Sequence, residues 1–359
     1  MAANSAAPSD IGFLSRAGQC PTACCIPTPD RTPPALHLLG ALTHHDDHYS
    51  AGMNVVALAG GVGAARFLAG LVRAVDPSAL TVIANTGDDL RLHGLHVSPD
   101  LDTITYTLGG GVHPEQGWGR ADETSAVATE LAQRYGRPSW FTLGDRDLAT
   151  HLVRSERLAA GASLSQVTAE IAAAWKLPFT LLPMTDHSVE TRIATSDGRE
   201  LHFQEWWVGE RAEPRVERVW LAGAERSRPA AGVLTAIEQA DVVVLCPSNP
   251  VVSIGTILAV PGIRNALRHA AVVGISPIVG GRVVRGMADR LLPAVGAEVS
   301  AVGVARLYAD VLDGWVIDDV DAILAEQIAA QGPKVAVTDT IMDTVDVAES
   351  LARTALELA

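Results

Sequence analysis

The chain has 359 residues, 48% of them hydrophobic and 19% charged, with a formal net charge of −14. That balance is globular, and the acidity argues against nucleic-acid binding while leaving room for a nucleotide held locally. No apolar run reaches the roughly 18 residues a membrane helix needs, so the chain reads as soluble, with no membrane partner.

In chain order, residues 1–52 come first and carry six of the twenty prolines without a sustained helix or strand period. They read as a disordered leader, upstream of a biological start at Met53, and the "HHDDH" cluster at His44–His48 reads as part of a solvated tail. Cys20, Cys24 and Cys25 lie in this leader and only Cys246 follows it, so no disulfide framework is expected and the folded part reads as cytoplasmic.

After Met53 the chain alternates. Strands are expected at 54–59, 80–86, 139–144, 179–184, 241–246, 271–276 and 334–339, mostly as continuous apolar runs of the kind buried on both faces of a parallel sheet. Helices are expected at 64–75, 121–135, 147–160, 163–175, 230–240, 255–269, 286–295 and 343–358. This pattern predicts an α/β fold, a doubly wound, mostly parallel Rossmann-like sheet. The stretch 189–208 alternates with period two around Asp197-Gly198, a hairpin signature. It is assigned, with the helices before it, to an inserted α+β subdomain spanning 147–228 of one domain, 53–359.

Candidate chemistry gathers where strands end. Gly60, Gly61 and Gly63 lie between an apolar strand and an amphipathic helix, a place where free N–H groups and the helix dipole favour an anion. Close packing of a βα turn would use the same glycines. Neither a P-loop nor a complete dinucleotide fingerprint is present, because Arg66 stands where the third glycine belongs.

The next strand leads into Asp88, Asp89, Asp100 and Asp102, placed in loops past its carboxyl edge, where doubly wound folds bind ligands. Solvated turn aspartates are common, but four together beside a glycine turn point to Mg²⁺. Asp145, Arg146 and Asp147 precede a helix; Asp145 or Asp147 can cap it, whereas a basic Arg146 there is unfavourable for the dipole. Ser248 and Asn249 follow a third apolar strand, with either phosphate binding or turn closure open to them. Arg282 and Arg285, in a glycine-rich loop, are the best local counter-charge for a diphosphate. No activated nucleophile stands out, so direct transfer at phosphorus is favoured, with positioning and charge neutralisation carrying the catalysis.

The ordered segments "GGVGAARFL", "NTGDD", "SPDLDTITYTLGG", "LGDRDLATHLVR", "HFQEWWV", "PSNPVVSIG" and "SPIVGG" resemble the 2-phospho-L-lactate transferase family, whose actinobacterial branch transfers phosphoenolpyruvate in coenzyme F420 biosynthesis. The resemblance implies a Mg²⁺-dependent enzyme that moves a 2-phospho-L-lactyl or phosphoenolpyruvyl group from a guanosine-diphospho donor to the ribityl hydroxyl of the deazaflavin Fo, releasing GMP. It implies that Gly60, Gly61, Gly63, Ser248 and Asn249 hold the guanosine diphosphate and that Asp102 and Arg146 contact Fo. Asp88, Asp89 and Asp102 would be catalytic, and Asp88, Asp100 and Asp102 would ligate metal. A homodimer is possible on the same grounds. Asp102 is expected in a surface loop, so that Asp102→Asn leaves the fold intact. Two other readings stand beside this one: a non-catalytic nucleotide-sugar regulator with the same glycine loop, and an NAD-dependent oxidoreductase, against which Arg66 counts.

Overall fold

The structure, a computed structural model, describes residues 52–359. The expectations for residues 1–51, including the His44–His48 cluster, lie outside the described residues. Seven strands form one sheet: β1 (Val55–Ala59), β2 (Leu80–Ala84), β3 (Thr180–Pro183), β4 (Val242–Leu245), β5 (Val272–Ile275), β6 (Gly314–Ile317) and β7 (Lys334–Val337). Every pairing is parallel, in the order β7-β6-β5-β4-β1-β2-β3. The chain winds outward one way from β1 through β2 to β3, then restarts on the other side at β4. The switch point therefore lies between β1 and β4, where the connections leave in opposite directions and open a crevice. β1, β4, β5 and β6 are buried along their whole length, as continuous apolar runs require.

Nine helices carry labels here: α1 (Gly61–Ala74), α2 (Pro99–Leu108), α3 (Ala126–Tyr135), α4 (Asp147–Ala159), α5 (Leu164–Ala174), α6 (Val233–Gln239), α7 (Ile254–Ala259), α8 (Ile263–Leu267) and α9 (Val345–Glu357). α1 buries Ala64, Ala65, Phe67, Leu68 and Leu71 in the core shared with β1, β2 and β4. Its Gly70 lies against α9 so closely that a Cβ there would sit 2.2 Å from the Ala348 carbonyl carbon.

Several expectations change. The run 139–144 is not a strand: Trp140, Phe141 and Leu143 pack against the small hairpin Leu90–Leu92/Leu95–Val97, spending their apolar surface in a satellite cluster. β6 was not expected, because three apolar residues between "LDG" and "DD" are too short a signal to read. The 255–269 helix is broken into α7 and α8 at Pro261-Gly262, where Gly262 has φ +100°. The expected 230–240 helix is shortened to α6, and only Ala288–Leu291 of the 286–295 stretch is α-helix.

The 147–228 stretch does not form a continuous insertion, since its β3 pairs with β2 at the edge of the main sheet. The inserted β element is a three-stranded antiparallel sheet, Glu190–Thr195 flanked by Glu200–His202 and Val216–Ala222, whose apolar residues cluster with Val252, Met287 and Leu291. The turn at Asp197-Gly198 is as expected, but the second strand ends at His202. The next residues wind into a helical turn that buries Trp206.

Gly70→Ala gains helix propensity of about 1 kcal/mol but forces two backbones apart, which costs about 1–3 kcal/mol or more. Net destabilisation is expected in denaturant unfolding of residues 53–359; an unchanged or higher midpoint would show that α9 gives way freely.

Candidate active site

The crevice at the switch point is built from two loops that touch. β1 runs into Gly60, and the Gly60 N–H donates to Ser248 Oγ (3.2 Å) in the loop after β4. Gly61 begins α1 at φ +72°, a left-handed conformation that favours glycine. A Cβ on Gly63 would lie 2.5 Å from the Pro247 carbonyl oxygen, so only glycine lets the two loops close. These glycines thus serve close packing, and they also leave the N-terminal amides of α1 at the crevice. Asn249 closes its own turn: its Oδ1 accepts from the N–H groups of Val251 (3.0 Å) and Val252 (3.2 Å). Turn closure, one of the two roles open to it, is the one the structure displays.

The hub between the loops is Asn85, at the end of β2, which sequence reasoning passed over inside "NTGDD". It is fully buried and satisfied on both ends of its amide. Nδ2 donates to Asp100 Oδ2 (2.9 Å) and to the Val252 carbonyl (3.2 Å), while Oδ1 accepts from the Gly87 N–H (2.8 Å) and Thr256 Oγ1 (2.7 Å). One side chain therefore ties β2, α2, α7 and the loop after β4 together. A buried amide with all its partners present specifies a unique arrangement.

The four aspartates are buried, and two of them are not in loops. Asp100 and Asp102 sit in the first turn of α2, where carboxylates suit the helix dipole. Asp100 leans on the glycine turn: a Cβ on Gly60 would lie 2.7 Å from its Oδ2. Burial, opposed by the hydrogen bond from Asn85 and assisted by the charge of Asp89, pushes its pKa up to about 6. Asp88 is pushed well above its ordinary value, first by burial and then by the charge of Asp100. Asp89 is also raised by burial, although its Oδ2 accepts from Ser98 Oγ (2.7 Å) and lies 2.8 Å from His96 Nε2. One carboxylate oxygen of Asp88 and one of Asp89 are buried without any partner.

These residues fit a divalent cation. Orphaned hard oxygens and buried carboxylates, raised by desolvation and, at Asp88 and Asp100, also by a neighbouring carboxylate's charge, lack the positive charge that would reconcile them.

Asp102 stands apart from this group. Its Oδ2 accepts from Arg154 Nη1 (3.0 Å) and its Oδ1 from Arg154 Nη2, with both side chains buried. The expectation of a surface-loop Asp102 that tolerates Asn is therefore corrected: the carboxylate neutralises a buried guanidinium. It groups not with Asp88 and Asp100 but with Asp147 and His151, whose potential ligand atoms lie within 4.8 Å of one another and of Asp102.

Arg146 is exposed at the start of α4, with Nη1 3.4 Å from the Ala121 carbonyl. The capping expected beside it is crossed over. Asp145 accepts from the N–H groups of Ala126 and Val127 at the start of α3, while Glu123 accepts from those of Arg146 and Asp147 at the start of α4. Arg285 is brought to the glycine turn, and Arg66 joins it. A Cβ placed on Gly117, in the loop across the turn, would lie 3.5 Å from Arg285 Nη1 and 3.8 Å from Arg66 Nη2. Arg285 Nη2 donates to the Gln116 carbonyl (2.6 Å), and partial burial with the charge of Arg66 lowers its pKa. Neither arginine has a carboxylate partner among the described residues. Arg66, noticed in the sequence only as a departure from a fingerprint, is thus half of a basic pair. Arg282 is exposed on a two-residue ribbon strand and makes no ion pair among the described residues.

With this geometry in place, comparison with known proteins decides the family. A family model described as 2-phospho-L-lactate transferase CofD matches residues 55–354. The chain belongs to that family. A protein of Streptomyces griseus named phosphoenolpyruvate transferase is 54% identical over 313 residues, covering 86% of this chain and 98% of its own. One of the same name from Thermobifida fusca is 55% identical over 282 residues, 75% of this chain and 88% of its own. Among solved structures, a Bacillus halodurans protein of the UPF0052 family superposes with TM-score 0.57 at 18% identity, covering 85% of this chain and 98% of its own. That likeness concerns the fold. The family makes this chain an enzyme that transfers a phosphate-containing group. No helix among the described residues is long and apolar enough to cross a membrane.

Two outcomes follow from the electrostatics. Asp102→Asn breaks a buried ion pair and should cost about 3–5 kcal/mol in denaturant unfolding; an unchanged midpoint would contradict the pairing. In metal-free protein, the stability contributed by Asp100 is present below its unfolded pKa of about 4 and lost as pH rises through about 6, because the folded state holds the proton longer. Relative to Asp100→Asn, the wild type should lose stability on the order of 2 kcal/mol between pH 4.5 and 7.5. A difference between the two that is flat with pH in thermal unfolding would remove the buried-carboxylate assignment.

Proposed function

We propose that this enzyme transfers a phosphoenolpyruvyl group from a guanosine-diphospho donor to the terminal ribityl hydroxyl of the deazaflavin Fo, giving dehydro coenzyme F420-0 and GMP. The observation that carries the reading is the family match across 55–354, joined to near-full-length relatives named phosphoenolpyruvate transferase. Those names favour the enolpyruvyl over the lactyl donor.

The geometry supports a division of labour. The glycine turn and the N-terminus of α1 receive the donor diphosphate, with Ser248 and the Arg66–Arg285 pair around it. Asp88 and Asp100 would hold Mg²⁺, which when bound neutralises phosphate charge at the reacting centre. The hydroxyl oxygen forms a bond to the phosphorus bearing the enolpyruvyl group as the bond to the GMP oxygen breaks. The hydroxyl proton passes to the orphaned carboxylate oxygen of Asp89, whose pKa, raised by burial, suits a base better than that of an ordinary aspartate. A cavity of about 260 Å³ bounded by Thr86, Asp89, His96 and His187 gives the hydroxyl an approach to Asp89. Arg146 stands exposed for a contact with the deazaflavin, whereas Asp102 is sealed by Arg154.

Incubating residues 53–359 with Fo, Mg²⁺ and enolpyruvyl-diphosphoguanosine, with the lactyl analogue in parallel, should yield a dehydro-F420-0 mass and GMP. Preference for the lactyl donor would overturn the donor assignment. Folded protein that binds the nucleotide donor without product from either mixture would favour a regulator instead.

A further inference from the structure

We propose that Arg154, bridged by His151, is a positioning residue for the transfer: from α4 it fixes the first turn of α2 and so holds Asp100 against the glycine turn. The kinetic part of this inference rests on the transfer reading above; the metal-binding part does not.

Asp147, His151 and Arg154 recur at spacings of four and three on α4, which places them on one helix face. That face meets α2. Arg154 and His151 are 2% and 1% exposed, a burial that charged and imidazole groups accept only when partnered. The guanidinium grips both oxygens of Asp102, reaches the His96 carbonyl (3.5 Å) just before α2, and lies 3.3 Å from His151 Nδ1. A guanidinium only donates, so His151 Nδ1 accepts and the ring proton sits on Nε2, which lies 3.1 Å from Asp147 Oδ2, an electrostatic contact without hydrogen-bond geometry. Asp147 Oδ1 in turn accepts from Tyr106 OH (2.5 Å), one turn further along α2. α2 is thus held to α4 at Asp102 and again at Tyr106.

The consequence reaches the site because Asp102 and Asp100 share one helical turn and face different partners. Asp100 faces Asn85 and the glycine turn, while Asp102 faces Arg154. Rotating or fraying that turn moves Asp100 relative to Asp88 and the crevice. The bidentate fork resists rotation in a way a single ammonium contact does not.

Arg154→Lys keeps the charge and removes the fork; His151→Leu keeps both charges and removes only the bridge. Mn²⁺ replaces Mg²⁺ as a probe whose binding to metal-free protein is read by paramagnetic resonance. For folded Arg154→Lys, Mn²⁺ affinity and kcat are each expected to fall about tenfold to a hundredfold, with KM for the guanosine-diphospho donor within about twofold of wild type. His151→Leu should move the same quantities in the same direction by a smaller factor, and it decides the matter if Arg154→Lys does not fold. A merely structural role would lower the unfolding midpoint and leave Mn²⁺ affinity and kcat per folded molecule unchanged; that result overturns the proposal. If the wild type makes no product, the transfer reading fails, while the Mn²⁺ titration still tests the positioning.

Discussion

A carboxylate buried beside other carboxylates is an unfavourable combination by itself. Asp100 occupies that position, buried, beside Asp88 and within reach of the charge of Asp89. The arrangement becomes favourable once positive charge enters among the carboxylates, and the rest of the crevice is organised around holding them in place. Asn85 spends all its hydrogen bonds on holding Asp100 and the loop after β4 in register. The glycines at 60 and 63 let the loops approach closely enough for this to matter.

Charge is sorted by location. Arg154 neutralises Asp102 deep between α2 and α4, and no other arginine approaches the Asp88–Asp100 pair in an ion pair among the described residues. Arg66 and Arg285 stand near each other at the loop that carries Gly117, with no carboxylate partner among the described residues. A chain with a formal charge of −14 thus gathers at one spot two guanidiniums that make no ion pair among the described residues. Like charges held together in this way are stabilised when an anion binds, which is how an acidic protein recognises a phosphorylated donor without a basic surface.

Much of the fold was legible. Runs such as "VVALA" and "DVVVLC" have no polar alternation because both sheet faces are covered, and the strand–helix alternation follows from that. What misled were segments whose apolar residues serve something other than the sheet. Trp140 and Phe141 look like strand residues but cover a hairpin, and β6 hides its four buried residues between acidic neighbours. At the site, residue types were readable and their pairings were not. Asp100 and Asp102 are two positions apart in a string of aspartates, and nothing local says that one faces Asn85 and the other Arg154.

The sequence by itself determined the class of fold, the glycine turn, the family and the stock of carboxylates, because these depend on local periodicity, composition and ordered motifs. Tertiary structure alone decided which aspartate is sealed in an ion pair, which carry orphaned oxygens, and that Arg66 meets Arg285. Arg154 lies 52 residues from Asp102, and Asn85 lies 171 from Thr256. Contacts at such separations are set by how sheet and helices pack, and the strength of each charge is set by the burial that packing imposes.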